Sequence, residues 1–489
     1  MDGGIGALIV FVVAPVIYLV VWGVSRERSR GRRDAARACG LTNVEVSTFM
    51  GIETKLTGRA GPLGVRMDSY SRGKSDHGTR IVIDGLRHGS YALAIRGEGV
   101  TSAIEKAVGE RELEVGDDAF DRAAYLQGAP TLVRALFDVD TRRLMRQLLG
   151  GEIRVDRRGE VKALSVRVSV SDDELRVSIP DRLFTSTSAW LPEVLPQLLD
   201  LGGRLRRPDD LAAKIAANTR VEPVPAVRLA NLQTLAREFA NHPATREALT
   251  PALGDGDHGV RLHAALALGP DGRQVLADIA GRDDAPDTIV ARAIEALGAD
   301  FGPERAVEKL GPAIRDGRVA VARACIAIIG GAGTPAGIEA LAGLLRAGPP
   351  DLGAAAAAAL GAAPNAAAEA ALIEALGSEA AEVRVAAATA LGRGCSPLAV
   401  VPLRNVVGRH PLDLELRRAA REAIAKIQER VTGASPGQLS LAPDAAGQVS
   451  LAEEDERGRV SLEPDAAKEP EAAARARRAQ VEQAAKNQV

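Results

Sequence analysis

A chain of 489 residues with a formal net charge of −2 has room for two or three domains and lacks the excess of positive charge that nucleic-acid-binding domains carry. Aromatic residues make up only 3%, so platforms for stacking bases or sugars are scarce and any core is built from small aliphatic side chains. Cys39, Cys325 and Cys395 lie far apart and form no CxxC pair, which fits a reducing compartment and argues against a disulfide framework or a zinc site.

Residues Gly3 to Val24 carry no charge and are mostly Ile, Val, Leu, Ala and Phe. At about 1.5 Å per residue a helix over this run reaches roughly 33 Å, enough to cross a bilayer core of about 30 Å. A cleaved signal peptide is the competing reading, but no basic segment precedes the run and no small-x-small cleavage site follows it. The basic segment 25–33 comes next, with Arg26, Arg28, Arg30, Arg32 and Arg33. Arginines beside one end of a span hold that end in the cytoplasm. The expectation is a single-pass helix over 1–24 in a bacterial inner membrane, N-terminus out, with the rest of the chain cytoplasmic.

Residues 34–205 read as a small α+β domain. IVIDG (81–85) and YALAIRG (91–97) look like short strands, and 152–180 reads as three more. LSVRVSVS alternates apolar and polar residues, as a half-buried strand does. Helical stretches are expected at 131–150 and 189–205, and 206–224 reads as a linker. The tempting chemistry is VGDDAFDRAAYLQG (115–128), where Asp117, Asp118 and Asp121 put three carboxylates within five residues. They suit a divalent metal or an acid/base pair. They equally suit a turn and a helix N-terminus, where Asp caps free N–H groups. No calcium-loop spacing and no neighbouring histidine supports the metal, so no metal or other cofactor is expected. His77 and His88 fall in polar, loop-like stretches.

Further along, one ten-residue pattern recurs: VRLHAALALG (260–269), IVARAIEALG (289–298), VARACIAIIG (321–330), LGAAAAAALG (352–361), VRVAAATALG (383–392) and LRRAAREAIA (416–425). The spacing stays near 31 residues, the signature of a solenoid. Positions 1, 5, 8 and 9 are apolar, which lays one stripe along one helix face. Ala at positions 5 and 8 lets neighbouring helices approach closely, and Gly at position 10 suits the left-handed turn that ends a helix. A second amphipathic helix is expected between successive ten-mers, at 272–281, 306–314, 337–346, 367–377 and 399–408.

This pattern resembles the HEAT-repeat family over about 225–432, in its short bacterial form of some thirty residues, also found in phycobilisome lyases. The Arg at position 2 is present only at Arg261, Arg384 and Arg417. The resemblance implies a mainly α fold, an α-solenoid of HEAT-like helix pairs, preceded here by the transmembrane helix and the α+β domain. It also implies protein or peptide partners. Deoxyhypusine hydroxylases share the architecture but need His-Glu pairs, and this chain has no His-Glu dipeptide.

In HEAT units the helix carrying the ten-mer lines the concave side, with positions 3, 4 and 7 exposed. The protein-binding candidates on that face are Leu262, His263, Leu266, Arg292, Glu295, Arg323, Val385, Thr389, Arg418 and Glu422. The face is smooth and largely apolar, which suits an extended peptide or a partner helix, while a nucleic-acid groove would be strongly basic. The competing reading is a solenoid that only holds a shape.

The tail, 433–489, repeats G-[QR]-[LV]-S-L from 437, 447 and 458. A segment this polar does not bury enough to fold alone. Leu439, Leu441, Val449, Leu451, Val460 and Leu462 are its docking candidates, either as three linked weak sites on a partner or in this chain's own groove. Slippage without function is the alternative, and a terminal helix is expected over 469–488. Taken together the residues point to a membrane-anchored scaffold or adaptor. An enzyme with its site at Asp117, Asp118 and Asp121, and a bilin-lyase-like protein, stand as alternatives.

Overall fold

The computed structural model describes residues 30, 32–49, 52–72, 76–89, 91, 93–97, 113–150, 152–157, 160–171, 173–179, 191–363, 365–430, 439–441 and 449–451. The expected span Gly3–Val24 lies outside them, as do Arg26, Arg28, Val460, Leu462 and the tail helix. Among the described residues no helix is long and apolar enough to cross a membrane. The chain divides into two units, Met1–Leu297 and Gly298–Val489.

In the first unit, alternation of apolar and polar residues produces one eight-stranded antiparallel sheet. Its strands are β1 (Thr42–Phe49), β2 (Ile52–Ala60), β3 (Leu63–Arg72), β4 (Asp76–Asp84), β5 (Leu93–Gly97), β6 (Ala124–Gly128), β9 (Arg167–Ser171) and β10 (Glu174–Ile179). Their spatial order is β1-β2-β3-β4-β10-β9-β5-β6. A separate hairpin pairs β7 (Glu152–Arg157) with β8 (Glu160–Ser165), so 152–180 holds four strands where three are expected. The meander β1–β3 is likewise absent from the sequence reading.

Besides the helical residues 32–38, the α-helices among the described residues of this unit are α1 (Asp118–Asp121), α2 (Pro130–Leu136), α3 (Val139–Leu149), α4 (Leu191–Leu205), α5 (Leu211–Val221), α6 (Pro225–Glu238), α7 (Pro243–Ala252), α8 (His258–Leu268), α9 (Arg273–Gly281) and α10 (Asp287–Leu297). The helix expected over 131–150 is two, because Phe137 leaves helical geometry and Asp138 restarts it, its carboxylate accepting from Thr141 N–H at 2.9 Å. α4 covers the sheet with Leu191, Val194, Leu195, Leu198, Leu201 and Leu205, all buried. Gly202 sets the approach: a Cβ there would stand 3.0 Å from Ile83 and 3.3 Å from Leu63.

Two boundaries differ from the expectation. Residues 206–224 are not a linker: α5 occupies most of the segment and buries Leu211, Ala212, Ile215 and Ala216. One hydrophobic core runs from Ala36 through the sheet and α2–α7 to Val260 and Ala264, so the α+β layer and the first helix pairs fold together. Described helical residues also reach into the basic segment. Arg30 is exposed, Arg33 half-buried and Arg32 buried.

As far as Arg430 the described residues of the second unit form helix pairs: α11 (Pro303–Arg315), α12 (Val319–Ala332), α13 (Pro335–Ala347), α14 (Pro350–Leu360), α15 (Ala366–Ala375), α16 (Ala381–Gly394), α17 (Val400–Arg409) and α18 (Leu414–Arg430). The ten-mers form α12, α14, α16 and α18, which pack side by side, and the intervening helices form the outer layer. Helices that present a flat, repeated stripe stack in one dimension. α18 ends the stack with a charged outer surface over buried Leu416, Ala420, Ala423 and Ile427.

Glycine at position 10 has two roles. Gly269 and Gly298 take positive φ of 59° and 53°, which glycine alone adopts freely, although the ψ of −116° at Gly269 is not that of the expected left-handed helical cap. Gly330, Gly361 and Gly392 lack a positive φ. They permit contact: an added Cβ would meet Ala359, Ala390 and Ala423 at 2.6–2.7 Å, each the position-8 alanine of the following repeat. The repeat is therefore held by a glycine-on-alanine contact between adjacent helices.

Candidate functional site

The acidic cluster at 115–128 is structural. Asp117 caps α1, accepting from Ala119 N–H at 3.1 Å and Phe120 N–H at 3.2 Å, and its other oxygen takes Arg142 Nε at 2.9 Å. Asp121 accepts from the backbone N–H groups of Val115 and Gly116 at 2.9 and 2.8 Å, closing the turn before the helix. Asp118 is exposed. Burial works to raise the Asp117 carboxyl, but the hydrogen bond from Arg142 and those from the two amides outweigh it and hold the group below the ordinary carboxylate value. Among the described residues no group of three or more His, Cys, Asp or Glu side chains is placed to hold a metal ion.

Arg142 is the centre of this region, and nothing in its sequence neighbourhood singles it out. Its side chain is 1% exposed and forks onto Glu222, also 1% exposed, through two 2.8 Å bonds, and it donates to the Phe137 carbonyl at 2.9 Å. Burial alone would depress its basicity, but Glu222 and Asp117 raise it above the ordinary arginine value. Asn218 on α5 donates to the carbonyls of Arg134 and Ala135 at 3.0 and 2.9 Å. These bonds fix α3 and α2 of the α+β layer to α5 and the start of α6. The arrangement is a structural joint in which the carboxylates of Asp117, Asp121 and Glu222 are engaged. Beside Glu222 lies a cleft of about 340 Å³ lined by Arg228, Leu232, Pro251 and Asp255.

Arg228 identifies a repeat unit that the sequence reading omits. VRLANLQTLA (227–236) has the pattern of the ten-mers, with Asn231 and Thr234 where Ala is usual, and Val227, Asn231, Thr234 and Leu235 are buried. Arg228, at position 2, donates to Asp255 at 2.7 and 2.8 Å and to the carbonyls of Glu222 and Pro223. Arg384, at position 2 of its own unit, does the same: it donates to the carbonyls of Ser378 and Glu379 and, at 3.2 Å, to Asp413. Each arginine ties the turn before its helix to an aspartate before the next ten-mer. The spacings of 27 and 29 residues are the signal that exposes the device. Asp257 and Asp413 also cap α8 and α18, accepting from Val260 and Leu416 N–H at 2.9 and 3.0 Å.

The candidate face is partly as expected. In the first unit Arg292 and Glu295 are exposed, His263 and Leu266 are half-buried, and Leu262 is 2% exposed and belongs to the core. Leu262 is corrected because the buried stripe spans positions 1, 2, 5, 6 and 9 in most units, and in both ten-mers of the first unit it takes in position 3 as well, at Leu262 and Ala291. Burial lowers the basicity of His263, which favours the neutral ring. In the second unit Arg323, Thr389, Arg418 and Glu422 are exposed and Val385 is half-buried. Arg418 and Glu422 bond each other along α18 at 2.8 Å, and Arg323 reaches Asp351 at 3.5 Å. Between them Ala354, Ala355, Ala358 and Ala386 are half-buried, so the surface is low and largely apolar. On the outer layer a cleft of about 450 Å³ opens between α13 and α15, lined by Leu345, Arg346, Glu374, Ser378 and Val383.

Cys325 and Cys395 are buried, and desolvation pushes both thiols up to about 11. Neither is a thiolate at neutral pH. His88 lies in a loop as expected but is buried, its Nε2 bonded to the Leu205 carbonyl at 2.8 Å, whereas His77, expected in a loop, lies in β4. In the tail, β11 (Leu439–Leu441) and β12 (Val449–Leu451) pair antiparallel.

No curated protein matches the chain. A family model for HEAT repeats matches residues 342–425, from within α13 to within α18. The match takes in the contacts of Gly361 with Ala390 and of Gly392 with Ala423, and repeats of this kind suit a scaffold for protein interaction.

Proposed function

We propose that this protein is a membrane-anchored adaptor whose solenoid holds an extended peptide or a partner helix. The observation that carries the reading is the face of α14 and α16, where Ala354, Ala355, Ala358, Val385, Ala386 and Thr389 make a low surface along adjacent repeats. Such a surface admits close approach of another backbone and binds by shape and apolar contact. Gly3–Val24 supplies the anchor, in a bacterial inner membrane with the bulk of the chain cytoplasmic, and the exposed charges Arg323, Arg418 and Glu422 set the register of the bound segment.

The test is site-specific photocross-linking in cells. A photoreactive residue at Ala358 or Thr389 is compared with one at Ala370 or Arg404 on the outer helices. The expected result is one shared adduct at the first pair of sites and none at the second. Removal of residues 3–24 releases the protein and its adduct from the membrane fraction. Equal labelling of both faces, or none at either, refutes the adaptor reading.

A further inference from the structure

Leu412 and Leu414, at the turn from α17 into α18, are 92% and 73% exposed, the highest values among the large apolar side chains described. A single exposed leucine is ordinary, but two on one tip are a projection. The repeat does not require them: beside Asp257, which caps α8 as Asp413 caps α18, the same two places hold Gly256 and His258. The tip is fixed. Asp413 accepts from Leu416 N–H at 3.0 Å and from Arg384 at 3.2 Å, and Arg384 also donates to the carbonyls of Ser378 and Glu379 at 3.0 and 2.8 Å. Ser378 and Glu379 belong to the wall of the 450 Å³ cleft between α13 and α15. One arginine therefore holds the leucines and the cleft side by side, on the edge where each outer helix turns into its ten-mer helix. Leu345, Ala371, Ala375 and Val383 give the cleft an apolar floor, and Glu374 and Glu379 stand exposed on its rim. Residues 366–383 around it carry four glutamates and no Lys or Arg, whereas 400–430 around the leucines carry seven cations against four acids.

We infer that this edge is an interface between two copies of the chain, with Leu412 and Leu414 of each copy seated in the cleft of the other. A surface that carries both the projection and its socket is self-complementary, which is the condition for a two-fold dimer. The acidic rim of the cleft meets the cations that flank the leucines, Arg409 and Arg417. Because Arg384 fixes the tip beforehand, little order is lost on association. The edge is separate from the α14 and α16 face, so the inference goes beyond the adaptor reading and does not rest on it.

The test uses the purified full-length chain in detergent micelles, with a photoreactive residue at Leu412 and equal amounts of isotope-labelled and unlabelled copies. The expected adduct joins a labelled copy to an unlabelled one and maps to residues 342–348 or 371–383. The same photoreactive residue at Leu398, 54% exposed at the turn between α16 and α17 on the opposite edge, gives no such adduct. In sedimentation, Leu412→Asp/Leu414→Asp raises the concentration needed for dimer roughly tenfold or more. Both side chains are exposed, so the fold survives the change, and circular dichroism checks it. Ala342→Trp, which fills the cleft from a half-buried place in its wall, weakens the dimer in the same direction. Mixing the two variants recovers part of it, because one intact tip then meets one open cleft. A parent chain that stays monomeric, or a Leu412→Asp/Leu414→Asp variant that dimerises like the parent, overturns the inference. So does an adduct from position 412 that lies within one copy, on detergent, or on another part of the second copy.

Discussion

Gly392→Ala separates two physical arguments that predict opposite signs. Gly392 lies inside α16, and in an exposed helix interior alanine is more favourable than glycine by about 0.5–1 kcal/mol. Here an added Cβ would stand 2.7 Å from Ala423 Cα and 2.9 Å from Ala423 Cβ, well inside the 3.4–4 Å of ordinary contact. The obstacle is the backbone of α18, which cannot rotate out of the way, so the two helices must part along their length. Overpacking of this kind costs about 1–3 kcal/mol, which leaves a net loss of about 1–2 kcal/mol. Gly343 is the control, because a Cβ there meets nothing within 4 Å inside α14's neighbour α13, and Gly343→Ala should gain up to about 1 kcal/mol. Amide hydrogen exchange reads both locally. Exchange in α16 and α18 should quicken roughly 5–30-fold in Gly392→Ala, and exchange in α13 should slow in Gly343→Ala. If Gly392→Ala slows exchange as the control does, the glycine-on-alanine contact does not hold the repeats.

Two further outcomes follow from the joint in the first unit. Glu222→Gln removes the charge from a fully buried pair while keeping its shape, and leaves Arg142 with Asp117 as its remaining anion; the loss should be about 3 kcal/mol, seen as faster exchange across both 134–142 and 215–224. Fast exchange in only one of these segments would show that the joint does not couple them. Asp117 is held below its ordinary value in the folded chain, so the unfolded chain takes up its proton first as pH falls. Its contribution to stability is full above the unfolded value of about 3.9 and is lost as pH drops through the lower, folded one. Asp117→Asn should therefore flatten the acid limb of a urea-midpoint profile below about pH 4 and leave the slope near neutrality unchanged. An unaltered acid limb would remove Asp117 from the account.

The helix pairs at 258–430 are legible in the sequence because each ten-mer carries its own apolar stripe, and a stripe of period 3.6 needs only its own residues to declare a helix. The strands over 167–179 announce themselves in the same way, by alternation. β1 is less legible: as an edge strand with Thr42, Glu45, Ser47 and Thr48 exposed, it has little to bury and so little pattern to show. Three features were decided only by tertiary structure. Whether glycine at position 10 turns the chain or admits a neighbour depends on how closely the next ten-mer packs: Ala296 and Ala423 hold the same place one repeat after Gly269 and Gly392, yet only Ala423 would meet an added Cβ. The unit at 227–236 is disguised because Asn231 and Thr234 occupy its alanine positions, and burial against the neighbouring helices reveals it. Asp117, Arg142 and Glu222 lie 25 and 80 residues apart in the chain, so their joint has no local signature. Local periodicity is a property of the chain alone, whereas a contact belongs to two segments at once and exists only after the fold has brought them together.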